Sequence, residues 1–70
     1  MSTTEYKIGE TVFFNLMTAG QKVESFKATV EQILDAGRHY EVQVIVNGLK
    51  QFRILRESLL YKQPAYPVAN

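Results

Sequence analysis

The run His39-Tyr-Glu-Val-Gln-Val-Ile-Val46, followed by Asn47-Gly48 and Leu49-Lys-Gln-Phe-Arg-Ile-Leu55, decides how the chain is read. Tyr40, Val42, Val44 and Val46 alternate with Glu41 and Gln43, a glycine turn follows, and a second alternating run lies behind it, which is the pattern of a β-hairpin. Just upstream, Phe26, Ala28 and Val30 alternate with Lys27, Thr29 and Glu31, so Ser25 to Leu34 reads as a third strand. The same stretch places Val23, Phe26, Val30, Ile33 and Leu34 at helical spacing with Gly37 past the end. The alternative to an all-β chain is therefore an α+β fold with a helix over 21–35 packed on a small antiparallel sheet.

Register favours the strand. With Asp35-Ala36-Gly37 as a three-residue loop, Leu34 pairs with Arg38, Val30 faces Val42, Ala28 faces Val44 and Phe26 faces Val46, so inward residues meet inward residues. The same requirement applied to Asn47-Gly48 disfavours a two-residue turn, which would set Val44 against Gln51 and Val42 against Arg53. A three-residue loop over Val46-Asn47-Gly48 sets Val42 against Phe52 and Tyr40 against Ile54. Glu41 then lies opposite Arg53, and Ile45 opposite Leu49. The expectation is a three-stranded meander.

Working outward, Tyr6 to Leu16 turns at Gly9 and alternates Val12, Phe14 and Leu16 with Phe13 and Asn15 as a first strand. Thr18 to Lys22 is a loop. Arg56 to Leu60 suits one short helical turn, Tyr61-Lys62 a last strandlet, and residues 63–70, with prolines at 64 and 67, an extended C-terminal tail. Residues 1–5 are polar and expected to be disordered, leaving 6–62 as the folded unit.

Seventy residues with 46% apolar content make one small globular domain. A core of this size supplies only about 3 to 5 kcal/mol, and the chain has no cysteine for a disulfide or thiolate metal site. Oligomerisation is thus one route to further stability. Eight Lys and Arg against seven Asp and Glu leave a net charge of +1, with no basic run, which lowers the case for phosphate binding. No secretory leader or membrane-length apolar run is visible, so the expected place is the cytoplasm, with no membrane contact.

The order of elements resembles the SH3-like small barrels, including the Tudor and KOW domains. The resemblance is carried by Ile8-Gly9-Glu10-Thr11-Val12, Phe26-Lys27-Ala28-Thr29-Val30, Tyr40-Glu41-Val42 and Ile54 to Leu59. It implies a five-stranded barrel over residues 6–62 with one short 3-10 turn. Some Tudor domains hold methylated lysine or arginine in an aromatic cage, for which Tyr6, Phe13, Phe26, Tyr40 and Phe52 are available here. Their inward phase assigns Phe26, Tyr40 and Phe52, with Phe14, to the core, and only Phe13 points away. Type II dihydrofolate reductases share the small-barrel architecture and carry Val-Gln-Ile-Tyr after a glycine turn. Lys50-Gln51-Phe52-Arg53 stands in that place and agrees only at Gln51, so no enzyme activity is expected.

His39, the single histidine, cannot build a multi-histidine metal site and reads as a surface residue. No cofactor motif is present. The expected function is a small non-catalytic module that binds a protein partner or itself through the outer face of the meander. The residues assigned to that face are Glu41, Gln43, Ile45, Leu49, Gln51, Arg53 and Leu55, with Phe13 beside them. The alternative is a KOW-like nucleic-acid binder using Lys27, Lys50, Arg53 and Arg56 on phosphates.

Overall fold

The structure, a computed structural model, describes residues 5–70. The expected disorder of residues 1–5 falls outside them but for Glu5, whose carbonyl accepts a hydrogen bond from Lys62 Nζ at 3.3 Å. Four strands form one antiparallel sheet in the order of the chain: β1 (Thr11–Thr18), β2 (Lys22–Leu34), β3 (His39–Val46) and β4 (Leu49–Arg56). Short 3-10 turns at Asp35–Gly37 and Glu57–Leu59 are the only helical pieces among the described residues. The chain is all-β, and the helix considered over 21–35 is instead the thirteen-residue β2. Pairing on both sides of that strand outweighs its helical periodicity, because Ala28 meets Val12 of β1 and Val44 of β3 at once and Val30 meets Val42 of β3.

The core lies on one face of the sheet. Val12, Phe14, Ala28, Val30, Tyr40, Val42 and Val44 are buried there, joined by Phe26 and by Tyr6 and Leu60 from the flanking segments. Phe14 stacks on Phe26 at 5.8 Å between centroids, and Tyr6 meets Tyr40 edge-on at 5.4 Å. The Tyr6 hydroxyl donates to the Leu60 carbonyl at 2.9 Å, which ties the N-terminal segment to the chain after β4.

Two loops differ from expectation. Leu34 pairs with His39 rather than Arg38, so four residues turn the chain, with Asp35, Ala36 and Gly37 all at positive φ. The extra residue is absorbed by a bulge between Val30 and Gln32, beyond which Val30 faces Val42 and Ala28 faces Val44 as the hydrophobic pattern requires. The β2–β3 ladder then stops, so Phe26 has no ladder partner at Val46.

At the second loop the difference is larger. Val46 pairs with Leu49, leaving Asn47 and Gly48 as a two-residue turn with φ of 52° and 78°, the type I′ geometry that Asn-Gly favours. Val42 therefore faces Arg53, Val44 faces Gln51 and Tyr40 faces Leu55, while Glu41 faces Ile54 and Ile45 faces Lys50. The three-residue loop is thus corrected, and with it the assignment of Leu49, Gln51, Arg53 and Leu55 to the outer face. The reason lies in β4 itself, which is exposed along its length except at Leu55. A strand with solvent on both faces gains little from matching the core, so the turn sets the register.

The chain folds its ends back onto free strand edges. Tyr61 exchanges two 2.8 Å backbone hydrogen bonds with Phe13 on the open edge of β1. Where β3 turns away at Asn47, the C-terminal tail runs parallel to β2: Ser25 N–H donates to the Pro67 carbonyl and Ala69 N–H to the Ser25 carbonyl. Ser25, fully buried, also donates through Oγ to Asn15 Oδ1 and accepts from Tyr66 N–H.

Candidate interaction surface

Strand parity separates two surfaces at β4. The inner side carries Leu49, Gln51, Arg53 and Leu55, in line with Val46, Val44, Val42 and Tyr40. Arg53 lies over the Phe14 ring at 5.9 Å, so the cation covers the open margin of the core. Beside it, Phe14, Leu16, Leu55, Leu59 and Tyr61 line a shallow cleft of about 130 Å³.

The outer side carries Glu41, Gln43 and Ile45 of β3 beside Ile54, Phe52 and Lys50 of β4. Ile45, Phe52 and Ile54 are 48%, 56% and 61% exposed, and the pairings bring all three onto neighbouring rows of one face. Isolated exposed apolar residues are ordinary, whereas three adjoining ones on two paired strands form a patch. Phe13 sits in the outer row of β1 opposite Lys27, half-buried, two strands away from that patch.

Among the residues expected at the interface, the structure thus gathers Glu41, Gln43 and Ile45 and separates them from Leu49, Gln51, Arg53 and Leu55. Phe52 and Ile54, expected in the core, are the most exposed apolar groups on the outer face of β3 and β4. Asn-Gly, the most specific hairpin signal in the chain, was sufficient to place them there. The candidate phosphate ligands divide as well: Lys27 and Lys50 belong to the outer face, and Arg53 to the inner. Arg56 pairs with His39 at the far end of β4. His39 Nδ1 lies 3.5 Å from Asp35 Oδ2 across the loop, at the surface.

The aromatic rings do not converge on a cage. Tyr6, Phe26 and Tyr40 are buried in the core, and Phe52 stands on the opposite side of the sheet.

A second concavity, about 510 Å³, opens on the outer face where β2 and β3 part, bordered by Lys27, Gln43, Ile45, Asn47 and the tail. Asn70 closes the strand gap beside it. Its Oδ1 accepts from Lys27 N–H at 2.8 Å, and its Nδ2 donates to the Lys27 and Ile45 carbonyls at 2.9 Å each. One side-chain amide thereby satisfies three backbone groups that a continuing β3 would otherwise have paired.

β4 forms the far edge of the sheet. In a two-residue hairpin the flanking pair Val46–Leu49 is hydrogen-bonded, so Leu49, Gln51, Arg53 and Leu55 point their backbone groups at β3. The N–H and C=O groups of Lys50, Phe52 and Ile54 point outward. Among the described residues none of these outward groups has a hydrogen-bond partner.

Compared with protein-family models, with curated proteins and with solved structures, the chain gives no match to any of them.

Proposed function

We propose that the chain is a non-catalytic SH3-like interaction module that associates with its own copies through the β3–β4 surface. The small-barrel reading is supported by four strands in meander order, a 3-10 turn at Glu57–Leu59, and the return of Tyr61 to the edge of β1. The observation that carries the function is the adjoining exposure of Ile45, Phe52 and Ile54 on the two last strands. Each of the three is already about half covered, so burying the rest releases about 1 kcal/mol per side chain before the entropy of association is counted. Glu41, Gln43 and Lys50 surround them and would orient the approach.

The experiment is a dilution series followed by amide NMR. Resonances of Ile45, Phe52 and Ile54 should move with concentration while those of Gly9 and Leu34 stay fixed. A spectrum unchanged across the series would remove the reading.

Nucleic-acid binding is the second reading, favoured by one observation: exposed Phe52 lies between Lys50 and Arg56 on alternate positions of β4. An aromatic platform between cations suits single strands. Salt-sensitive binding of an oligonucleotide, lost in Phe52→Ser, is the expected signature, and no binding at low salt ends it.

A further inference from the structure

The edges of the sheet are treated unequally. Tyr61 covers β1 at Phe13, and residues 67–70 cover the part of β2 that β3 leaves free. β4 has no such cover, and of the devices that blunt an edge it carries only charged side chains, Lys50, Arg53 and Arg56. Its eight residues pair with β3 without a bulge, it contains no proline, and Phe52 and Ile54 project beside the outward backbone groups. We infer that β4 is the seat of a second copy of this chain, which adds its own β4 antiparallel across a two-fold axis at Phe52 to make one continuous eight-stranded sheet. This rests on the self-association reading above and specifies its geometry, with Phe52 and Ile54 at the seam and Ile45, one strand back on β3, bordering it.

The sequence of β4 selects both the occupant and the register. Edge pairing must match outward residues with outward residues, so only even-numbered positions of one copy can sit opposite even-numbered positions of the other. With Phe52 on the axis, Phe52 meets its symmetry mate and Lys50 lies beside Ile54 of the second copy. On the other face Gln51 meets Arg53 and Leu49 meets Leu55. No like charges oppose one another, and each polar or apolar group on the inner face finds its own kind. Moving the axis to Arg53 sets Arg53 against Arg53 and Lys50 against Arg56, which like-charge repulsion opposes. Moving it to Gln51 shortens the overlap and sets Leu49 against Arg53. Phe52 at the centre is thus the longest register free of like-charge pairs, and a two-fold contact needs this self-complementarity.

The absence of cysteine from the chain allows a direct test. Gln51 and Arg53 of opposite copies would form a non-hydrogen-bonded pair with Cα atoms about 4.5 Å apart, inside the range a disulfide spans. Two Gln51 residues, or two Arg53 residues, would be roughly 8 Å apart and outside it. Mild copper oxidation of a mixture of Gln51→Cys and Arg53→Cys should yield roughly tenfold more disulfide dimer than either variant alone. Lys50→Pro, which removes an outward N–H but no bond to β3, should abolish the dimer while leaving the monomer folded by circular dichroism. Ready cross-linking of Arg53→Cys alone, or a dimeric mass retained by Lys50→Pro, overturns the edge geometry and leaves self-association standing. A monomeric mass for the unmodified chain overturns both.

Discussion

Arg53 stands directly opposite Val42 in the β3–β4 ladder, with its guanidinium carbon 5.9 Å from the centre of the Phe14 ring. That pair fixes the faces of β4. An arginine takes the place at the core margin, and Phe52 and Ile54 are turned to the outside.

Truncating Phe52 therefore has a small effect on stability. Phe52→Ser should change the unfolding free energy by no more than about 0.5 kcal/mol, as for a surface substitution. A core phenylalanine would cost about 3 to 5 kcal/mol. Urea denaturation of dilute protein distinguishes the two. Phe14→Ala, in the core, should show the large loss.

The Asp35–Gly37 loop holds two non-glycine residues in the left-handed region, with Ala36 at φ 56°, ψ 31°. That conformation disfavours an L-residue by about 1 to 2 kcal/mol. Ala36→Gly should raise stability by about 0.5 to 1 kcal/mol, part of the relief being offset by the freer unfolded chain. A fall in the denaturation midpoint would contradict the loop conformation.

The tail is held by Ser25 and Asn70. Asn70→Ala removes the acceptor for Lys27 N–H, and the loss of about 1 kcal/mol corresponds to roughly fivefold faster exchange of the Lys27 amide. Ser25→Ala should release Tyr66 and the 67–69 segment together, which hydrogen exchange at Ala69 would report.

Glu10 and Tyr6 give opposite pH dependences. The Lys7 backbone N–H, followed by Lys62, holds the Glu10 carboxyl below the usual carboxylate range. Its contribution is present above the unfolded value of about 4 and is lost as pH falls through the lowered folded one. The stability difference between the unmodified chain and Glu10→Gln should accordingly close on acidification. Burial, followed by the charges of Glu5, Glu57 and Glu10, pushes the Tyr6 phenol up. Its neutral form supports the fold below about pH 10, and that support is lost as pH rises to the folded value. Tyr6→Phe should cost about 1 kcal/mol at neutral pH and lack this alkaline loss.

The all-β class and the central register were legible in the residues because Val30, Val42, Ala28 and Val44 are buried and a one-residue slip would expose them all. The faces of β4 were not legible from core matching. That reasoning assumes that each strand turns one side to the core, and β4 has solvent on both. There the local preference of Asn47-Gly48 was the governing term. The bulge at Glu31 and the four-residue turn after Leu34 shift the chain by one residue each and cancel in the core, so the pattern of buried residues carries no trace of either. Nor does composition mark Ser25 or Asn70, whose roles depend on where β3 leaves β2.

The surface proposed for self-association is tested most directly by sedimentation equilibrium over a wide concentration range, comparing the unmodified chain with Phe52→Ser/Ile54→Ser. The account predicts a monomer–dimer equilibrium for the unmodified chain, rising from 8.0 kDa toward twice that mass, and 8.0 kDa throughout for the double variant. A mass of 8.0 kDa at every concentration for the unmodified chain, or equal association by both proteins, would contradict it.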